Sequence, residues 1–112
     1  MEELVNELIE KTGKTKERYE ELNKLVSDPE VIADNKEWKK LVKERSQIEE
    51  IAFAHDQLKK LHEDYVSCQK EYEKESDHEL KEMFYEEISR LKEEIEKKVE
   101  EIKVLLLPKD AN

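Results

Sequence analysis

Leu80, Phe84, Ile88, Leu91, Ile95, Val99, Ile102 and Leu106 recur at steps of three or four residues, and most residues between them are charged. Such steps return to one side of an α-helix, whose turn takes about 3.6 residues, so the segment carries a single apolar stripe on an otherwise solvated rod. A helix of this kind is stable only when the stripe is buried against other helices. The rest of the chain offers little else to bury it. Of 112 residues, 36% are hydrophobic and 46% charged, with one glycine and two prolines, which permits thin seams between long helices and no thick core. The regular spacing also separates the chain from disordered sequences of similar polarity.

Two further seams are legible. Leu4, Leu8, Thr12, Thr15, Tyr19, Leu22 and Val26 predict a helix over residues 2–26, weak around Gly13, where it is expected to fray or break. Trp38, Leu41, Arg45, Ile48, Ala52, His55, Leu58, His62, Tyr65, Cys68 and Tyr72 predict a second over 34–74. The last stripe predicts a third over 77–107. Between the first two, SDPEVIADN reads as a corner: Ser27 or Asp28 can cap, Pro29 suits a first helical position, and Val31 and Ile32 are expected to fold back onto Trp38. Asp34 with Glu37, and Ser76 with Glu79, read as capping boxes that start the second and third helices. Glu86 with Arg90, Glu93 with Lys97 and Glu94 with Lys98 are spaced to pair along the outer face of the third helix. The expected fold is all-α, an elongated three-helix bundle whose second and third helices form a long antiparallel coiled-coil hairpin.

The net charge of −10 is spread along the chain, which disfavours bulk attraction to nucleic acid and makes protein partners the default. One stretch departs from this. KEWKKLVKER holds five basic residues against two acidic ones. Lys36, Lys39, Lys40, Lys43 and Arg45 are therefore the candidate contacts to RNA phosphate or an acidic protein, against the plainer reading of a solvated face anchored by Trp38. The single cysteine, Cys68, excludes an internal disulfide and fits a reducing compartment; no apolar run reaches the length of a membrane span, and MEELVNELIEK is too acidic for a targeting peptide. The expected location is cytoplasmic, with no membrane association.

No catalytic constellation emerges. Neighbouring glutamates on a helix point about 100° apart, and no nucleophile or apolar pocket accompanies them. His55 and His62 share a helix face, but Cys68 does not, and two histidines without a converging third ligand make a poor zinc site. No catalytic, cofactor-binding or metal-binding residue is nominated, and no cofactor is expected. Leu105, Leu106 and Leu107 surround the last helical turn, so part of that turn is exposed unless something packs on it; Pro108 stops the helix, and residues 108–112 read as the start of a linker.

SDPEVIADNKEWKKL and LLLPKD, with ERYEELNKL before and HELKEMFYEEISRL between, resemble the N-terminal helical domain of bacterial peptide chain release factors, from about Glu17 to Asp110. LLLPKD favours the release factor 1 branch over release factor 2. In that family the helical domain precedes a Gly-Gly-Gln tripeptide that promotes peptidyl-tRNA hydrolysis and a Pro-x-Thr tripeptide that helps to read the stop codon. Neither is present here. The resemblance therefore implies a non-enzymatic, monomeric fragment, cut where the helical domain gives way to the catalytic core. The resemblance further implies that the fragment is part of a protein that terminates translation at UAA and UAG and touches the ribosomal stalk base, both protein and rRNA. A standalone coiled-coil adaptor or scaffold, and a tRNA-binding helical arm like that of seryl-tRNA synthetase, are the rival expectations.

Overall fold

A computed structural model describes residues 2–108, and in these the chain is all-α, a helical bundle with no strand. The helices are α1 (Glu2–Leu25), α2 (Pro29–Ala33), α3 (Asn35–Lys74) and α4 (His78–Leu105). They form two compact units, residues 2–55 and residues 56–108, with α3 contributing to both. The expected linker falls mostly at 109–112, outside the described residues.

In the first unit α1 runs antiparallel to the opening half of α3. Thr12 meets His55, Arg18 meets Glu44, and the Trp38 indole N–H donates to the Val26 carbonyl at 3.1 Å. Val5, Leu8, Thr12, Tyr19 and Leu22 are the buried positions of α1, with Leu22 fully covered. The N-terminal seam thus passes through Val5, with Leu4 only half-buried. Contrary to expectation, α1 does not break at Gly13. Its backbone stays helical through the glycine, which faces the His55 ring so that an added Cβ would stand 3.2 Å from Cε1. The weak spot in the seam is filled from the opposite helix.

The corner forms one short helix. Asp28 caps α2 by accepting from the Glu30 N–H at 2.9 Å, and Pro29 opens the helix as its spacing suggested. Ile32 remains half exposed, so the fold-back onto Trp38 does not include it. Asp34 does accept from the Glu37 N–H at 3.2 Å, but its own N–H goes to the Val31 carbonyl, so the reciprocal half of the capping box is replaced by the α2 turn.

In the second unit α4 returns antiparallel to the closing half of α3. Cys68 lies against the Phe84 carbonyl at 3.5 Å and Lys98 donates to Gln57 at 2.7 Å. Leu58, Leu91, Ile95, Val99 and Ile102 are buried here. Burying a Leu or Ile side chain contributes about 1.5–3 kcal/mol, several times what an exposed ion pair supplies, so these few positions dominate the unit's stability. The cap of α4 is Asp77, not Ser76: its carboxylate accepts from Glu79 N–H at 2.9 Å and Leu80 N–H at 3.2 Å. Ion pairing on α4 also departs from the expected set. Arg90 bridges Glu87 and Glu94, and Lys98 takes Glu101 at 2.8 Å. At the end of the helix Leu105 and Leu106 are half-buried, while Val104 and Leu107 are exposed.

Candidate functional site

The basic stretch lies on about the first three turns of α3, in the first unit. At about 100° per residue, Lys36, Lys39, Lys40 and Lys43 fall within one arc of the helix, and Trp38, Leu41 and Arg45 fall opposite. The burial pattern agrees: all four lysines are exposed, Leu41 is buried, and Trp38 and Arg45 are half-buried. Among the described residues none of the four lysines forms an ion pair. Lys40 is close enough to help hold the Glu44 carboxyl below its ordinary value, but the main cause is the hydrogen bond from Arg18.

Arg45 stands apart from that arc. Its guanidinium donates to Asn23 Oδ1 and to Tyr19 OH at 3.2 Å, lies 5.1 Å from the Tyr19 ring centroid, and pairs with Glu49 at 3.5 Å. These bonds tie α1 to α3, so Arg45 serves the fold. Arg18 does similar work beside it: Nε and Nη2 grip both oxygens of Glu44 at 2.6 and 2.8 Å, which raises the arginine's pKa as it lowers the glutamate's. The candidate surface is therefore the four lysines, a patch of mobile point charges suited to phosphate or carboxylate groups and without a nucleophile or general base.

Elsewhere His55 and Cys68 are held within the fold. The Thr12 hydroxyl donates to the Leu8 carbonyl at 2.6 Å, and the same oxygen is 2.9 Å from Nδ1 of buried His55. A carbonyl only accepts, so the hydroxyl proton is committed to Leu8 and His55 Nδ1 carries the proton shared with Thr12. Burial pushes the Cys68 thiol above its ordinary value, with Glu87 and Glu71 adding to the shift, which disfavours the reactive thiolate. Among the described residues no group of three or more His, Cys, Asp or Glu side chains is placed to hold a metal ion, and no helix is long and apolar enough to cross a membrane.

The second unit carries a feature that the sequence reading did not single out. Tyr72 and Tyr85, together with His78, Lys81 and Glu82, line a concavity of about 310 Å³ beside the α3–α4 turn. Tyr85 directly follows the stripe residue Phe84, and that one-residue offset, about 100° around the helix, was the signal that it lies off the buried seam.

Residues 15–112 match the PCRF domain family. The chain belongs to that family. Among curated proteins, this PCRF domain is 41% identical over 105 residues to peptide chain release factor 1 of Clostridium novyi (strain NT), and 43% identical over 107 residues to that of Alkaliphilus oremlandii (strain OhILAs). Each alignment covers 94% of this chain, but only 29% and 30% of the respective relative. The PCRF domain thus spans less than a third of the length of these relatives. No solved structure matches it.

Proposed function

We propose that this PCRF domain is the ribosome-docking arm of a peptide chain release factor that directs termination at UAA and UAG, and that it carries out no peptide release itself. The observation that carries the reading is the family match across residues 15–112, joined to more than 40% identity with release factor 1 proteins. The domain would touch the base of the large-subunit stalk, with the lysine arc of α3 meeting rRNA phosphate and acidic faces meeting basic ribosomal protein. The α3 surface supports a binding role: among the described residues Lys36, Lys39, Lys40 and Lys43 are exposed and form no ion pair, which leaves their charges to meet phosphate.

Pelleting of the chain with bacterial ribosomes, and a peptide-release assay on a stop-codon complex, test this together. The chain is expected to co-sediment with ribosomes and to release no peptide. Replacing Lys36, Lys40 and Lys43 by glutamate should weaken co-sedimentation and flatten its dependence on salt. Measurable hydrolysis by the chain alone, or co-sedimentation indifferent to the charge reversal, would refute the reading.

A further inference from the structure

We propose that the aromatic concavity beside the α3–α4 turn docks an arginine side chain presented by a basic protein segment. This deepens the acidic-surface half of the proposed function, and rests on that reading for the partner being ribosomal.

The geometry supplies an open aromatic wedge. The Tyr72 and Tyr85 ring centroids are 6.3 Å apart and their planes are inclined by 47°, so the rings are tilted and not stacked face to face. Tyr85 is 61% exposed. A ring so exposed contributes little to the packing of α4 and offers its face to a partner.

The protein already uses one of these rings in the proposed manner. The Lys81 ammonium stands 4.7 Å from the Tyr72 centroid, the attraction of a cation for the negative face of an aromatic ring. Among the described residues no cation covers Tyr85 in the same way. Its neighbour Glu82 is held only by a solvent-exposed contact with His78 at 3.5 Å, which leaves the carboxylate free to accept a guanidinium fork. Stacking on Tyr85 while forking to Glu82 uses both properties of arginine; a lysine can use only the first.

Local charge selects the class of partner. Residues 71–86 contain seven carboxylates against two lysines. Lys81 opposes an incoming cation, but the seven carboxylates outweigh it. The same excess repels nucleic-acid phosphate, and it repels the equivalent surface of a second copy of this chain.

Titration of the ¹⁵N-labelled full chain with acetyl-Gly-Arg-Gly-Arg-Gly-amide, followed by amide chemical shifts, tests the assignment. Saturable shifts are expected at Tyr72, Lys81, Glu82 and Tyr85, with weaker binding of the lysine counterpart and none of the alanine counterpart. Tyr85→Ala should weaken the arginine peptide about five-fold, as loss of one solvent-exposed cation–π contact requires, while Tyr85→Phe keeps the ring and the affinity. Glu82→Gln should weaken arginine more than lysine. Both positions are exposed, and unchanged shifts elsewhere in each variant verify the fold. The proposal is overturned if Tyr85→Ala binds as the parent does, if shifts scatter evenly over the acidic faces, or if lysine binds as tightly as arginine. Concentration-dependent shifts without peptide would overturn it in favour of self-association, and equal shifts with an RNA oligonucleotide in favour of a nucleic-acid site. If ribosome co-sedimentation fails while the peptide binds at Tyr85, the docking reading falls and this site stands.

Discussion

Thr12 Oγ1 and His55 Nδ1 stand 2.9 Å apart, both side chains buried, and form a polar link between α1 and α3 in the apolar layer of the first unit. With the Thr12 proton committed to Leu8, the imidazole must donate through Nδ1. Thr12→Val keeps the shape and removes the acceptor, leaving a buried N–H unpaired. Urea denaturation should show a loss of about 1–3 kcal/mol. Adding His55→Leu should recover part of that loss, because no orphaned donor then remains. A double variant no more stable than Thr12→Val would refute the pairing.

The same ring explains Gly13. In an exposed helix interior Gly→Ala gains about 1 kcal/mol, yet here the new Cβ would press to 3.2 Å on a ring that Thr12 holds in place. Gly13→Ala is therefore expected to destabilise the parent chain. In a His55→Ala background, where the ring is gone, the same substitution should stabilise by about 1 kcal/mol. The sign reversal between the two backgrounds is the measurement. Stabilisation in both would mean that the ring yields freely and that glycine is not required there.

The all-α fold and its seams were legible because three- and four-residue spacing survives any local detail. Gly13 was not, since a glycine that ends a helix and one that admits a ring from another helix look identical in a single chain. Arg45 reads both as a member of the α3 seam and as a candidate contact, and the structure places it on the seam. It stands among four lysines in sequence, but helical rotation turns it to Tyr19 and Asn23 while the lysines face solvent. Exposure of the lysines was legible because it needs only the local period. The Tyr72–Tyr85 wedge was hidden because it depends on the register between two helices, which neither stripe contains by itself.

Acid should loosen the first unit through Glu44. The hydrogen bond from Arg18, followed by its positive charge, holds this carboxyl below its ordinary value of 4.5. A depressed folded-state pKa means that the stabilisation is complete above about pH 4.5 and is lost as pH falls through the lower folded value. Glu87, lowered by its hydrogen bond from Arg90, acts in the same direction in the second unit. Carboxyl titration by NMR should place Glu44 below its ordinary value, and Arg18→Met should move it back up. An unchanged Glu44 titration in Arg18→Met would assign the shift to another cause.

The start of α4 distinguishes two neighbouring residues that both read as caps. Ser76 completes the sequence pattern with Glu79, whereas Asp77 supplies the oxygen that both the Glu79 and Leu80 N–H groups use. Two otherwise unpaired donors therefore depend on Asp77, and its carboxylate also lies at the positive end of the helix dipole. Asp77→Ala should cost about 1 kcal/mol in chemical denaturation, while Ser76→Ala should be nearly silent. Asp77→Asn, which keeps the acceptor and removes the charge, should fall between them. Because residues 78–85 also carry Lys81 and Tyr85, amide exchange in that turn should accelerate in Asp77→Ala and stay unchanged in Ser76→Ala. If Ser76→Ala proves the costlier variant, the cap belongs one residue earlier and the first turn of α4 must be redrawn around it.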